Sequence, residues 1–137
     1  MYFDTDSIIY ISRPGQYSPQ LGNYLGDLTY ELDKDDYIEE FVSAGPKNYG
    51  YQTHKGKSSC TVKGFTLNSS TKELINFESI KAIVLEDRSR TIEAEQMKFV
   101  RDKFDWTVKT EINKKRYGFV YNKRVLFDDL TTLPYGF

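Results

Sequence analysis

The string Tyr2-Phe3-Asp4-Thr5-Asp6-Ser7 sets two carboxylates two residues apart, with apolar or aromatic residues on both sides. On extended backbone, residues i and i+2 point to one face. Asp4 and Asp6 then present two hard oxygen donors to one point at a strand–turn–strand tip. That donor set suits Mg²⁺, which takes one or two carboxylates and keeps water and substrate phosphates around itself. A pair of such cations activates a nucleophile and stabilises a leaving oxygen in phosphoryl transfer. The bland alternative is a polar hairpin turn in which Asp, Thr and Ser bond nearby backbone.

A second pair repeats the spacing. In Gly45-Pro46-Lys47-Asn48-Tyr49, Lys47 and Tyr49 stand at i and i+2. A Lys meets a phosphate as a point charge, and a Tyr packs on a sugar while its hydroxyl donates to phosphate. The alternative is an exposed Lys beside a sheet Tyr. Lys55, Lys57 and Lys63 extend a phosphate track from there. Lys114-Lys115-Arg116 and Lys123-Arg124 form another, with Tyr117 and Phe119 interleaved as a stacking platform would be. Ordinary exposed strand faces are the competing reading of both tracks. His54 is the sole histidine and has no acidic or hydroxyl partner at motif spacing, so it receives no catalytic role.

The elements that must position these groups are short. Ile8–Ile11 reads as the strand returning from the acidic turn. Arg13-Pro14-Gly15 and Ser18-Pro19 mark a loop. Leu21, Leu25, Leu28 and Leu32 fall at helical spacing and predict a short amphipathic helix near 21–32. Glu40–Ser43 and Tyr49–Thr53 read as strands around Ala44-Gly45-Pro46, with a third at Cys60–Lys63. Ser70-Thr71-Lys72-Glu73 has the form of a capping box. It predicts a helix reaching Leu85, with Leu74, Phe77, Ile80, Ile83 and Val84 apolar. Beyond Glu86 the pattern predicts short strands at Met97–Val100, Thr107–Ile112, Arg116–Val120 and Arg124–Phe127. Tyr121-Asn122-Lys123 would turn the last two against each other. The expected class is α+β: an antiparallel sheet with the acidic hairpin and one or two helices in 1–86, then a small β-rich part in 87–137.

Bulk properties bound the reading. The chain has 137 residues and a high aromatic content led by eleven Tyr. That is one domain's worth of chain, or a domain plus a small appendage. No apolar run approaches the roughly 18 residues of a membrane span, and the start has no signal-peptide pattern. Cys60 is the only cysteine, so no intrachain disulfide forms, and a reducing compartment fits. The net charge of −1 is not that of a general nucleic-acid binder. Its distribution says more: residues 1–42 carry −7, residues 43–81 carry +4, and residues 82–137 carry +2. Cations can neutralise the first region, and the second can meet phosphates. Asp33, Asp35, Asp36, Glu39 and Glu40 read as a solvated acidic face.

Tyr2, Asp4, Thr5, Asp6 and Ser7 resemble motif C of family B DNA polymerases, Y-x-D-T-D-S, at every defined position. Gly45-Pro46-Lys47-x-Tyr49 resembles the family's K-x-Y motif, in the right order and at a short separation. Leu21–Leu28 and Thr132–Phe137 are similar to the protein-primed branch found in viruses and large DNA transposons. The resemblance implies a palm-type sheet over 1–86 and a thumb-like part over 87–137. It also implies Mg²⁺ or Mn²⁺ as cofactor, with primer–template DNA and deoxynucleoside triphosphates as partners. By resemblance, Asp6 is a direct metal ligand and Asp4 binds or orients the site. Thr5 and Ser7 stabilise the turn. Tyr2 packs beneath it or approaches the primer end, which Lys47 and Tyr49 hold.

The family's motif A, motif B and exonuclease motif are missing from the sequence, and all of them precede motif C in the family. Only Met1-Tyr2-Phe3 stand before the acidic turn. The expectation is therefore a fragment that lacks N-terminal polymerase regions and has no polymerase activity alone. The alternative is a non-enzymatic DNA-binding module derived from such a polymerase.

Overall fold

Apolar side chains gather in one part of this chain and are nearly absent from the buried positions of the other. The computed structural model describes residues 1–121, 124–129 and 131–134. The chain forms two compact units, Met1–Tyr37 and Ile38–Phe137. The class is α+β with antiparallel strand pairing, as expected.

The first unit contains one hairpin, β1 (Tyr2–Asp4) against β2 (Ser7–Ile9), in the register Tyr2↔Ile9, Phe3↔Ile8, Asp4↔Ser7. None of its hydrophobic residues is buried. The helix expected near 21–32 does not form. Leu21 and Leu28 instead make an isolated parallel bridge, and the Gly22 amide donates to the Leu28 carbonyl at 3.0 Å. The Asp27 carboxylate accepts from the Tyr24 amide at 2.9 Å, closing a tight turn. Gly26 sits at φ 96°, a conformation that a helix cannot contain. Leucine spacing lost here to two glycines and an Asp that bonds locally. One member of the expected acidic face also differs, because Asp36 is buried. Its carboxylate accepts from the Tyr37 amide, and its carbonyl accepts from the Tyr30 hydroxyl.

The second unit holds the hydrophobic core. β3 (Ile38–Gly45), β4 (Asn48–Thr53) and β5 (Ser58–Val62) form a three-stranded antiparallel sheet with β4 central. Two helices follow, α1 (Ser69–Leu74) and α2 (Phe77–Leu85). Strand alternation puts Val42, Ala44, Gly50 and Val62 on one face. A Cβ on Gly50 would touch Phe77 at 3.3 Å, so that face is the one beneath α2. Phe77, Ile80, Ile83 and Val84 of α2 bury there, as their periodicity predicts.

The single helix expected over 70–85 is two. Asn68, not Ser70, is the first cap, accepting from the Thr71 amide at 2.9 Å. Asn76 then serves both helices at once. Its side-chain amide donates to the Lys72 and Glu73 carbonyls that end α1. Its side-chain oxygen accepts from the Ser79 amide while the Ser79 hydroxyl accepts from the Asn76 amide, a capping box for α2. One short polar side chain thereby satisfies orphan groups at two helix ends. Ile75, wholly buried, is the pivot, whereas Leu74 is exposed.

After α2, a turn at 87–90 leads into β6 (Thr91–Arg101), which pairs along its whole length with β7 (Val108–Gly118). The strands expected at 107–112 and 116–120 are largely one strand. Ala94 and Tyr117, near the base of this ribbon, join the core. Gln96 is buried beside them and exchanges two 3.0 Å hydrogen bonds with the Thr66 backbone. β8 (Arg124–Leu126) pairs with β9 (Thr132–Pro134), not with residues 116–120. The expected turn at Asn122-Lys123 and the terminal Tyr135–Phe137 lie outside the described residues.

Candidate active site

The two loops that carry the candidate chemistry are both two-residue hairpin reversals, built on different supports. In the first, Asp4 ends β1, Ser7 begins β2, and Thr5-Asp6 form the loop. The same-face rule therefore does not govern Asp6, because the chain reverses before a strand position is reached. Asp4 shares the half-buried face of the hairpin with Tyr2, and Asp6 stands exposed in the loop. The Thr5 hydroxyl donates to Asp4 Oδ1 at 3.2 Å, and the Ser7 hydroxyl donates to the Asp4 carbonyl at 3.3 Å. Thr5 and Ser7 thus stabilise the turn, as anticipated. Thr5 has φ 55°. A positive φ at the first loop residue alone is the pattern of a type II′ turn, which normally takes Gly there.

The second loop is Pro46-Lys47 between Gly45 and Asn48. Proline followed by a residue at φ 58° is the pattern of a type II turn. That turn splays a hairpin, and the register shift between Ser43 and Gly45 is the accompanying bulge. Gly45 has φ 130°, and a Cβ there would lie 1.9 Å from the Val120 carbonyl oxygen. The Val120 amide donates to the Ala44 carbonyl at 3.0 Å, so the chain after β7 is laced to this end of β3.

Asn48 is the residue that sequence reasoning passed over. It is buried, donates to the Pro46 carbonyl at 3.0 Å, and accepts from the Lys63 amide at 3.1 Å. One side chain thereby clamps the Pro46-Lys47 loop and ties it to the end of β5. The available signal was an Asn inside a strand pattern, where Asn is depleted unless its side chain bonds backbone.

Lys47 is exposed at the loop, and Tyr49 is half-buried on the sheet face away from α2, its ring centroid 5.8 Å from that of Phe41. Lys63 stands at the same end of the sheet. A cleft of about 250 Å³ opens there, with Pro46, Asn48, Lys63 and Arg116 in its lining. Lys55 and Lys57 lie in the opposite turn, between β4 and β5. The expected single track of Lys55, Lys57 and Lys63 is therefore split across the two ends of the sheet.

The chain matches no family model, no curated protein and no solved structure. Carboxylate oxygens are the donors a hard divalent cation takes, and Asp4 and Asp6 supply two of them. Among the described residues, no group of three or more His, Cys, Asp or Glu gathers to hold a metal ion. Each carboxylate is a donor of the type that a Mg²⁺ shell takes, and the rest of such a shell is ordinarily water and phosphate.

The cations on β7 are committed locally. Arg116 pairs with Glu93 at 3.0 Å and Lys114 with Glu95 at 3.6 Å, while Lys115 donates to the Gly64 carbonyl at 2.6 Å. Tyr117 is no stacking platform. It is buried with its ring edge-on to Phe65, and burial pushes its hydroxyl pKa up to about 12. Phe119 is half-buried, with the Arg88 guanidinium 5.5 Å from its ring centroid. His54 lies on the surface, 4.0 Å from Glu39. Burial likewise pushes the Cys60 thiol up, and its sulfur contacts the Ile75 carbonyl at 3.7 Å. No helix among the described residues is long and apolar enough to cross a membrane.

Proposed function

We propose that this chain is part of a DNA-directed DNA polymerase that adds deoxynucleotides to a primer end by two-metal phosphoryl transfer, and that it is inactive alone. The observation that carries the reading is the Asp4–Ser7 loop. Two carboxylates flank a β-branched residue held at φ 55° on a two-residue reversal. The left-handed region costs an L-residue about 1–2 kcal/mol. Such outliers cluster where a geometry is used, and a hairpin under no other demand would carry Gly or Asn there. Lys47, in the second candidate motif, repeats the pattern at φ 58°.

In this reading the β3–β5 sheet backed by α2 is the palm-type layer, and the β-rich remainder is the thumb-like part. Asp6 is a metal ligand, and Asp4 binds or orients the same site. Thr5 steers the Asp4 carboxylate through its hydroxyl, and Ser7 holds the reversal. Lys47 offers a point charge to a primer phosphate, and Tyr49 packs on a primer sugar. Tyr2 supports the loop from the hairpin face it shares with Asp4. Bound divalent cations supply the charge that stabilises the attacking and leaving oxygens. A further carboxylate and the residues that select the incoming nucleotide come from other polymerase regions or a complementing chain.

Titration of the ¹⁵N-labelled chain with Mn²⁺ tests the reading. The expected outcome is paramagnetic broadening centred on the Asp4–Ser7 amides and lost in Asp6→Ala. The pure chain is expected to give no templated primer extension and to bind primer–template DNA more weakly as salt rises. Broadening indifferent to both Asp4→Ala and Asp6→Ala would leave the other reading, a non-enzymatic DNA-binding module. Primer extension by the pure chain, abolished by Asp6→Ala, would overturn the expected inactivity.

A further inference from the structure

The β6–β7 ribbon has one face that the core does not explain. At its base the other face is buried through Ala94, Gln96 and Tyr117. The opposite face runs in cross-strand rows: Glu93 with Arg116, Glu95 with Lys114, Met97 with Ile112, Phe99 with Thr110, and Arg101 with Val108. The first two rows are acid–base pairs, and the distal rows are mainly apolar. Met97 is 68% exposed, Phe99 81%, Ile112 64% and Val108 69%. Trp106, 74% exposed, extends this face, with the Arg101 guanidinium 4.8 Å from its ring centroid. The tip is fixed rather than frayed. Asp102 accepts from the Phe104 amide, and Lys109 bridges Asp102 and Asp105 at 2.6 and 3.1 Å.

A two-stranded ribbon has little stability of its own in water unless a face is packed, and contiguous exposed apolar patches mark interaction surfaces. The pattern of this face is complementary to itself. Consider a two-fold axis between two such faces, perpendicular to the strands at the level of the Lys98–Glu111 pair. It lays β6 over β6 of the second copy with the strands antiparallel. Each residue then meets the one equally far beyond the axis, at about 3.3 Å of strand per residue. Met97 meets Phe99, Ile112 meets Thr110, and Glu95 meets Arg101 of the second copy. Lys114 comes over Val108, so no like charges oppose in these rows. This is the isologous contact of a closed dimer.

We propose that this chain self-associates as a two-fold dimer through the Glu95–Arg101 face of the β6–β7 ribbon. The contact is one face of a two-stranded ribbon, about 5 Å between strands and about 20 Å along them, a narrow strip beside the roughly 800 Å² per partner of a standard stable interface. The dimer is accordingly weak and reversible, with the Glu95–Arg101 contacts setting its register.

Sedimentation equilibrium on the full chain, from about 5 to 500 µM to span weak association, tests the proposal. The expected outcome is a concentration-dependent monomer–dimer equilibrium. Glu95→Arg and Arg101→Glu each weaken it about fivefold or more, and the double charge swap returns it to within about twofold of the parent. All four positions in the two copies are exposed strand sites, and circular dichroism confirms that each variant folds. A parent that stays monomeric overturns the proposal. So do association indifferent to the single swaps, a double swap that does not recover, and open-ended growth beyond dimer. A monomer whose ribbon variants alter only binding to primer–template DNA would assign the face to nucleic acid and likewise overturn it.

Discussion

The Asp4–Ser7 and Gly45–Asn48 hairpins share one device and differ in what stands behind it. Each reverses in two residues, and each places a non-glycine residue near φ +55° to +58°. The first spans three residue pairs and is stitched by its own Thr5 and Ser7 hydroxyls, with no buried apolar side chain in its unit. The second is one end of a three-stranded sheet. Asn48 clamps its loop, Val120 is laced to its edge, and α2 covers one face. The difference teaches where strain can be held. A strained φ persists when surrounding structure over-determines it, which the second hairpin has in quantity and the first has mainly from local hydroxyls. On the proposed reading, carboxylates on the less supported hairpin adjust to a cation, whereas Lys47 and Tyr49 hold a primer end from the more rigid one.

Gly45→Ala should break the second support most completely. Its Cβ meets the Val120 carbonyl at 1.9 Å, and its φ of 130° is strained for any L-residue. A loss of about 3 kcal/mol is expected in urea unfolding. The equivalent insult in the first unit, Gly26→Ala, meets open space at φ 96°. It should cost the second unit nothing.

Asn48→Ala comes next. It removes two hydrogen bonds from a buried side chain and strands the Lys63 amide, a cost of about 2 kcal/mol. Amide exchange should accelerate at Lys63 and Lys47 while the Asp4–Ser7 amides keep their rates. Equal acceleration in both hairpins would show that they melt as one unit and dissolve the contrast.

The smallest effect separates the two strained residues. Lys47→Gly relieves a left-handed φ inside a cooperative sheet and should raise the urea midpoint, by the equivalent of about 1 kcal/mol or less of unfolding free energy once the added freedom of the unfolded chain is counted. Thr5→Gly relieves the same strain and also removes the hydroxyl that bonds Asp4, so it should leave that midpoint unchanged. It should nevertheless loosen Mn²⁺ binding at Asp6. A shared response would mean that the two loops carry their strain in the same way.

Legibility in the sequence followed the range of the interactions. The strands flanking Pro46 and the apolar stripe of Phe77, Ile80, Ile83 and Val84 were readable, because periodicity reports which face is buried. Leu21, Leu25, Leu28 and Leu32 misled, because the same spacing arises in a loop when Gly22, Gly26 and Asp27 dictate the backbone. The break at Asn76 was hidden because a side chain that caps two helices looks, in sequence, like one polar residue on a helix. Tyr117 looked like part of a basic, aromatic strand. Only its pairing opposite Ile92, with Phe65 edge-on, shows that it belongs to the core.

The sequence by itself determined the local chemistry: where two carboxylates stand two residues apart, where Pro46 forces a turn, and which stripe of α2 is apolar. These follow from side-chain type and from spacings of a few residues. Tertiary structure decided that Asn48 clamps the loop, that Gly45 must be glycine because Val120 passes it, and that Lys63 is parted from Lys55 and Lys57. It also decided that β6 and β7 run as one long ribbon with a self-complementary face. The Asn48–Lys63 and Gly45–Val120 contacts join residues 15 and 75 positions apart, where no local pattern records the partner and only the packed chain brings the atoms within reach.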